Sequence, residues 1–119
     1  MVRFSRKIAP FVDTELRLAR EAERAGNDAE GFRHLERAHI LGQPSTALHV
    51  RVHWHMFTWS WRRHRTRDAL GQVLRMIGAA TKTAIGLVPE GNTGGSDVSP
   101  VKPMPVPEDL AQILRNARS

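Results

Sequence analysis

The sequence predicts an all-α protein: an antiparallel bundle of four helices, then an irregular Gly/Pro-rich segment and a short C-terminal helix. Three observations carry this. Four successive stretches repeat their apolar residues at the helical period of about 3.6. Turn-forming residues stand between them, and the connections are short enough to force neighbouring helices antiparallel. At 119 residues and 13.4 kDa the chain suits one domain. Residues 1–85 supply the bundle, and residues 86–119 supply the extension and final helix of the same domain.

The first helix is expected from about Pro10 to Ala25. It stops at Gly26-Asn27-Asp28, where Gly and Asn favour a left-handed stop and Asn or Asp caps the next helix. The second spans about Asp28 to Leu41, and Gly42-Gln43-Pro44-Ser45 breaks the chain because proline cannot continue a helix and serine can cap a new one. The third runs from about Thr46 to Arg62. After the basic turn at His64-Arg65-Thr66, the fourth runs from about Arg67 to Ala84. Beyond Gly86 the period disappears, and the segment to Pro107 reads as irregular, either disordered or pinned to the bundle by Leu87, Val88, Val98 and Met104. Pro107-Glu108-Asp109 places proline and acids where a helix begins, so a final helix reaches about Ala117.

Helical wheels at about 100° per residue assign each buried face. The first helix buries Phe11, Val12, Leu16, Leu18, Ala19 and Ala22, with Glu15 in the middle of that arc. The second buries Ala29, Phe32, Leu35 and Ile40, with Glu36 and His39 inside the same arc and Arg33, Arg37, Glu30 and His34 on the wet side. The third is apolar around most of its circumference. His49 and His53 lie between its two apolar flanks and should point inward, and its tryptophans read as core. The fourth buries Leu70, Val73, Leu74, Ile77, Thr81 and Ala84.

Depth along the axes matters as much as face. His39 precedes the Gly42 turn by about as much as His49 follows it, and Glu36 and His53 each lie about one turn further in. Counted back from Gly26, Glu15 reaches the same height. Glu15, Glu36, His39, His49 and His53 are therefore expected in one layer, faced by Ile77 and Thr81 of the fourth helix.

Glu-x-x-His and His-x-x-x-His each place two ligand types on one helical face. Two unpaired buried carboxylates would cost several kcal/mol each, and a divalent cation removes that cost. Nitrogen and oxygen donors without sulfur point to Fe, Zn, Mn, Ni, Co or Cu(II). The competing reading needs no metal: glutamate–imidazolium pairs satisfy the same groups as a structural network. The chain is then a protein-interaction module, with an exposed groove or the Gly/Pro segment holding another protein.

Composition narrows the other classes. The absence of cysteine excludes disulfides, iron–sulfur clusters, thiolate zinc and a cysteine nucleophile. No serine–histidine–acid arrangement can be argued from spacing, so hydrolase chemistry has no support and no catalytic residue is assigned. The net charge of +6 favours anionic contacts. Arg62, Arg63, Arg65 and Arg67 form the densest basic run, a conceivable phosphate contact that is better explained as cations at a helix C-terminus. His34, His55 and His64 read as solvated. PEGNTGG lacks the Lys-Ser/Thr of a phosphate loop. No stretch is apolar for long enough to cross a bilayer, and MVRFSRKIAPFV lacks the features of a secretory signal, so a cytoplasmic protein is expected.

Through HLERAHILGQ, HVRVHWHM, GQVLR and PEGNTGG, from about Glu15 to the PMPVP segment, the chain resembles the uncharacterised bacterial domain-of-unknown-function family 3703. The resemblance implies a stand-alone bacterial protein of about this size and brings no activity with it. The first two helices are also loosely similar to a tetratricopeptide hairpin, through Ala22, Gly26, Ala29, Phe32, Leu35 and Ala38, although no second copy follows.

Overall fold

The computed structural model describes residues 2–84 and 104–119, and these form five helices with no strand among the described residues. They are α1 (Val2–Arg24), α2 (Asp28–Gly42), α3 (Thr46–Arg62), α4 (Thr66–Ala84) and α5 (Glu108–Arg118). The all-α bundle is as the periodicity predicts. The irregular segment expected before α5 lies mostly outside the described residues, although Met104 is half-buried and Val106 packs on the core.

α1 begins well before Pro10, which sits inside the helix. An interior proline costs about 3 kcal/mol. The added turns bury Phe4 and Ile8 in line with Val12, Leu16 and Ala19, and full burial of each such side chain contributes roughly 1.5–3 kcal/mol. The apolar stripe therefore outweighs the proline. Phe11, expected inside, is 45% exposed.

α1 ends at Gly26, whose φ of +79° is the left-handed stop. Asn27 N–H donates to Ala22 O and Gly26 N–H to Glu23 O, the paired bonds of a Schellman motif. The Asn27 side chain then caps α2 at the Glu30 N–H. The α3–α4 turn repeats the device, with Arg65 N–H on Ser60 O, His64 N–H on Trp61 O and His64 at φ 57°. Ser45 precedes α3, but its side chain makes no cap: the Ser5 hydroxyl donates to its Oγ at 2.8 Å and ties α1 to the α2–α3 turn.

α1 and α2 form a hairpin, α3 packs beside α2, and α5 closes against α1 and α2 through buried Leu110, Leu114 and Ala117. Among the described residues the α4 backbone comes close to that of α3 and of no other helix. Its expected apolar face is consequently open, with Leu70, Leu74 and Ile77 exposed by 61%, 62% and 64%. Thr81 is also exposed, and its hydroxyl returns to Ile77 O. The inward face of α4 instead presents Ala69 and Gln72. Of the tryptophans only Trp59 is core, and exposed Trp54 and Trp61 stack on either side of Phe57.

Candidate metal centre

Three histidines meet between α2 and α3. The short turn after Gly42 brings the helices so close that a Cβ at Gly42 would lie 3.2 Å from Leu48 Cβ. That closeness seats His39, in the last turn of α2, against His49 and His53, one turn apart on α3. All three are buried, at 2%, 7% and 2% exposure. His39 Nε2 lies 2.9 Å from His49 Nε2 and 3.1 Å from His53 Nε2, with the His39 ring edge-on to both neighbours. One ligand nitrogen from each residue falls within 4.8 Å of the other two, the arrangement of a group able to hold a metal ion.

The spacing has a chemical meaning. Metal–nitrogen bonds of about 2.0–2.1 Å put neighbouring ligand atoms about 3.3 Å apart in a tetrahedron and about 3.0 Å apart in an octahedron. The two His39 separations match such edges, and the third pair of ligand nitrogens lies within 4.8 Å.

Proton positions follow from Gln72 of α4, which is 1% exposed. Its Oε1 lies 2.6 Å from His53 Nδ1. A carbonyl oxygen only accepts, so His53 Nδ1 carries the hydrogen, and in the neutral ring Nε2 presents a lone pair to the centre. The His39–His53 contact then requires the hydrogen on His39 Nε2, and His49 Nε2 must face it with a lone pair. One proton thus occupies a position that a divalent cation can take. Burial pushes the His53 pKa down to about 4 and nearby Arg75 adds to the fall, while the bond to Gln72 works in the opposite direction. His53 is therefore neutral at physiological pH, the form that ligates.

The two glutamates lie elsewhere. Glu15 is buried on α1, but its Oε1 accepts from Arg37 Nε at 2.7 Å and faces His34 Nδ1 at 3.3 Å. Arg37 also donates to Asp109 of α5, holding that carboxyl below the ordinary aspartate range. Glu15 therefore belongs to an ion-pair network joining α1, α2 and α5, and is outside the histidine group. Glu36 is half-buried and lines a cleft of about 280 Å³ with Phe32 of α2, Trp59 and Ser60 of α3, Arg65 of the following turn, and Asp68 and Gln72 of α4.

Of the residues read as solvated, His34 is half-buried beside Glu15. His55 is also half-buried, and burial with Arg20, Arg51 and Arg62 around it lowers its pKa. His64 is exposed. Within the basic run, Arg62 pairs with Glu23, Arg63 with Glu23 and Asp28, and Arg65 with Asp68, while Arg67 is exposed. Arg63 and Arg65 also cover the Trp59 ring. The residue that sequence reasoning missed is Gln72, whose only signal was its place in GQVLR on the side of α4 away from the leucines.

No curated protein and no solved structure matches the chain. The family model described as Protein of unknown function (DUF3703) matches residues 6–114, which include every residue of the histidine cluster and its Gln72 partner. The chain therefore belongs to domain-of-unknown-function family 3703.

Proposed function

We propose that this protein binds one divalent transition metal through His39, His49 and His53. The observation that carries the reading is the convergence of three buried imidazole nitrogens at separations suited to coordination. Imidazole donors suit Zn, Cu(II), Fe, Ni and Co better than Mn, which prefers oxygen. Three protein ligands leave a position for water or an exchangeable group, unlike a closed four-ligand structural site. The role is therefore reversible binding, as in carrying or sensing a metal, or a redox step at the ion. Glu15, committed to Arg37, is not among the proposed ligands.

The test uses protein purified without an affinity tag, elemental analysis, and titration with Zn(II), Co(II) and Ni(II). About one equivalent should bind, with a rise in melting temperature that grows with free metal. His49→Gln and His53→Gln should each lose both effects while remaining helical. Substoichiometric metal with no thermal shift would support the alternative, a protein-interaction module with a structural polar core. The exposed stripe of Leu70, Leu74 and Ile77 is what favours that second reading.

A further inference from the structure

We infer that the outer face of the α3–α4 hairpin is where two copies of this chain pair, α4 against α4 in antiparallel register. The inference is independent of the metal-binding reading, because the histidines lie on the α2 side of the hairpin and this face lies on the opposite side.

The two sides of the hairpin follow from helical phase. His53 of α3 meets His39 of α2 and Gln72 of α4, and Asp68 lines a cleft shared with α2, so these residues mark the inner side. Turning away from α2 at about 100° per residue brings Phe57, Trp61 and Trp54 to the outer side of α3, and Val73, Ile77 and Leu70 to the outer side of α4. The two apolar strips therefore adjoin on one face. Trp54 and Trp61 are 53% and 61% exposed, and Leu70, Leu74 and Ile77 are 61%, 62% and 64% exposed. These five side chains expose roughly 600 Å² per copy, so covering them in a pair removes about 1,200 Å² from water, the lower edge of specific interfaces. A pair of that size forms and dissociates with concentration.

Spacing selects a helix as the partner. Leu70, Leu74, Ile77 and Thr81 follow one another at intervals of four, three and four residues, the seam of a coiled coil. Turned end for end about a two-fold axis, the seam complements itself: Leu74 layers on Ile77 of the other copy and Leu70 on Thr81, each pairing occurring twice. Gly78 lies beside Leu74 on the wheel, in the interior of α4, where glycine weakens a helix, and its φ is not positive. A Cβ there would meet nothing within 4 Å. No packing among the described residues asks for that glycine, whereas a partner helix crossing the seam uses the missing side chain to come close.

Charge is compatible with a second copy. Each chain carries a net +6, but the seam and the two tryptophans beside it include no charged residue. The α3 arginines that flank those tryptophans in sequence, Arg51 and Arg62, are turned to Asp13 and Glu23 of α1. Like charges therefore surround the interface instead of entering it, and salt, by screening them, should strengthen the pairing. Attraction to an anionic lipid surface weakens with salt, so the two occupants of this face respond in opposite directions.

The experiment is analytical ultracentrifugation of the full chain from about 1 to 500 µM at low and high salt, with tryptophan emission recorded alongside. Mass should rise from 13.4 kDa toward twice that value, more readily at high salt, and emission should move to shorter wavelength as Trp54 and Trp61 are covered. Leu74→Glu should weaken pairing by about a hundredfold or more. Its helical circular dichroism and the melting temperature of dilute, unpaired protein should stay unchanged, because Leu74 is exposed in the single copy. Gly78→Leu should weaken pairing by about tenfold yet raise that melting temperature, since leucine favours the helix but fills the space the partner needs. A mass of 13.4 kDa at every concentration would overturn the inference. So would a dimer that persists in both variants, which places the contact elsewhere. Capture by phosphatidylglycerol vesicles of a chain that stays monomeric would also overturn it and assign the face to lipid.

Discussion

Replacing Gln72 with leucine separates a metal-tuned histidine cluster from a merely packed one. The substitution keeps the side chain's bulk and removes the Oε1 that accepts the His53 Nδ1 hydrogen at 2.6 Å. Both residues are almost fully enclosed, at 1% and 2% exposure, so the substitution leaves a buried donor. A buried donor left without a partner costs about 1–3 kcal/mol, and that loss should appear in urea unfolding of the metal-free protein. The second effect is specific to ligation. Without the amide, His53 is free to move its hydrogen to Nε2, which turns the lone pair away from the centre. Loss of the group that orients a ligating histidine usually weakens metal binding by about 10–100-fold. The assay is competition against a chromophoric chelator, with nitrogen chemical shifts of His53 reporting the tautomer. Gln72→Glu should restore the Nδ1–H acceptor and recover affinity. Wild-type affinity and an unchanged tautomer in Gln72→Leu would refute the reasoning.

Three further outcomes follow from other parts of the molecule. The His53 pKa of about 4 lies below the unfolded value of about 6.5, so between these values the unfolded chain holds more protons. The stabilisation is complete above pH 6.5 and is lost as pH falls through 4, by about 3 kcal/mol for His53 alone in metal-free protein, as read from urea midpoints at stepped pH. Glu15→Gln should cost about 2 kcal/mol by weakening the network through Arg37 and His34 and leave metal stoichiometry unchanged; loss of the metal would return Glu15 to the site. Leu74→Glu should change thermal stability by less than about 0.5 kcal/mol, whereas Leu41→Ala, in the core, should cost roughly 2–5 kcal/mol.

These contrasts trace what the sequence makes legible. The histidines could be placed because face and depth are both local properties of two helices joined by a three-residue break, and His39, His49 and His53 all lie within three turns of it. Glu15 could not, because its partner depends on the reach of Arg37, whose backbone faces the wet side while its guanidinium bridges Glu15 and Asp109. α4 misled for a related reason. Its leucine stripe has the period of a core face, but α5, far away in sequence, supplies Leu110 and Leu114 to the core against α1 and α2, while the α4 backbone lies close to α3 alone among the described helices. The start of α1 was missed because Pro10 reads as a beginning, whereas the burial of Phe4 and Ile8 carries the helix past it.

The same separation of core and site predicts what removing a metal bound at the histidines would do. A zinc finger unfolds without its ion because the ligands supply most of its buried interactions. Here Ile8, Val12, Leu16, Leu41, Val52, Met56 and Leu110 are enclosed independently of the histidines, and they join α1, α2, α3 and α5. The ligand set also differs: three neutral imidazoles cancel none of the ion's charge, whereas thiolates in a closed structural site do. Binding should therefore be weaker and reversible, and a chelator such as EDTA should strip the ion without melting the fold. Helical circular dichroism should persist after dialysis against chelator, with a lower melting temperature that returns when Zn(II) is added back. Collapse of the helical signal on chelation would mean that the histidines hold the bundle together, contrary to the distribution of buried apolar contacts.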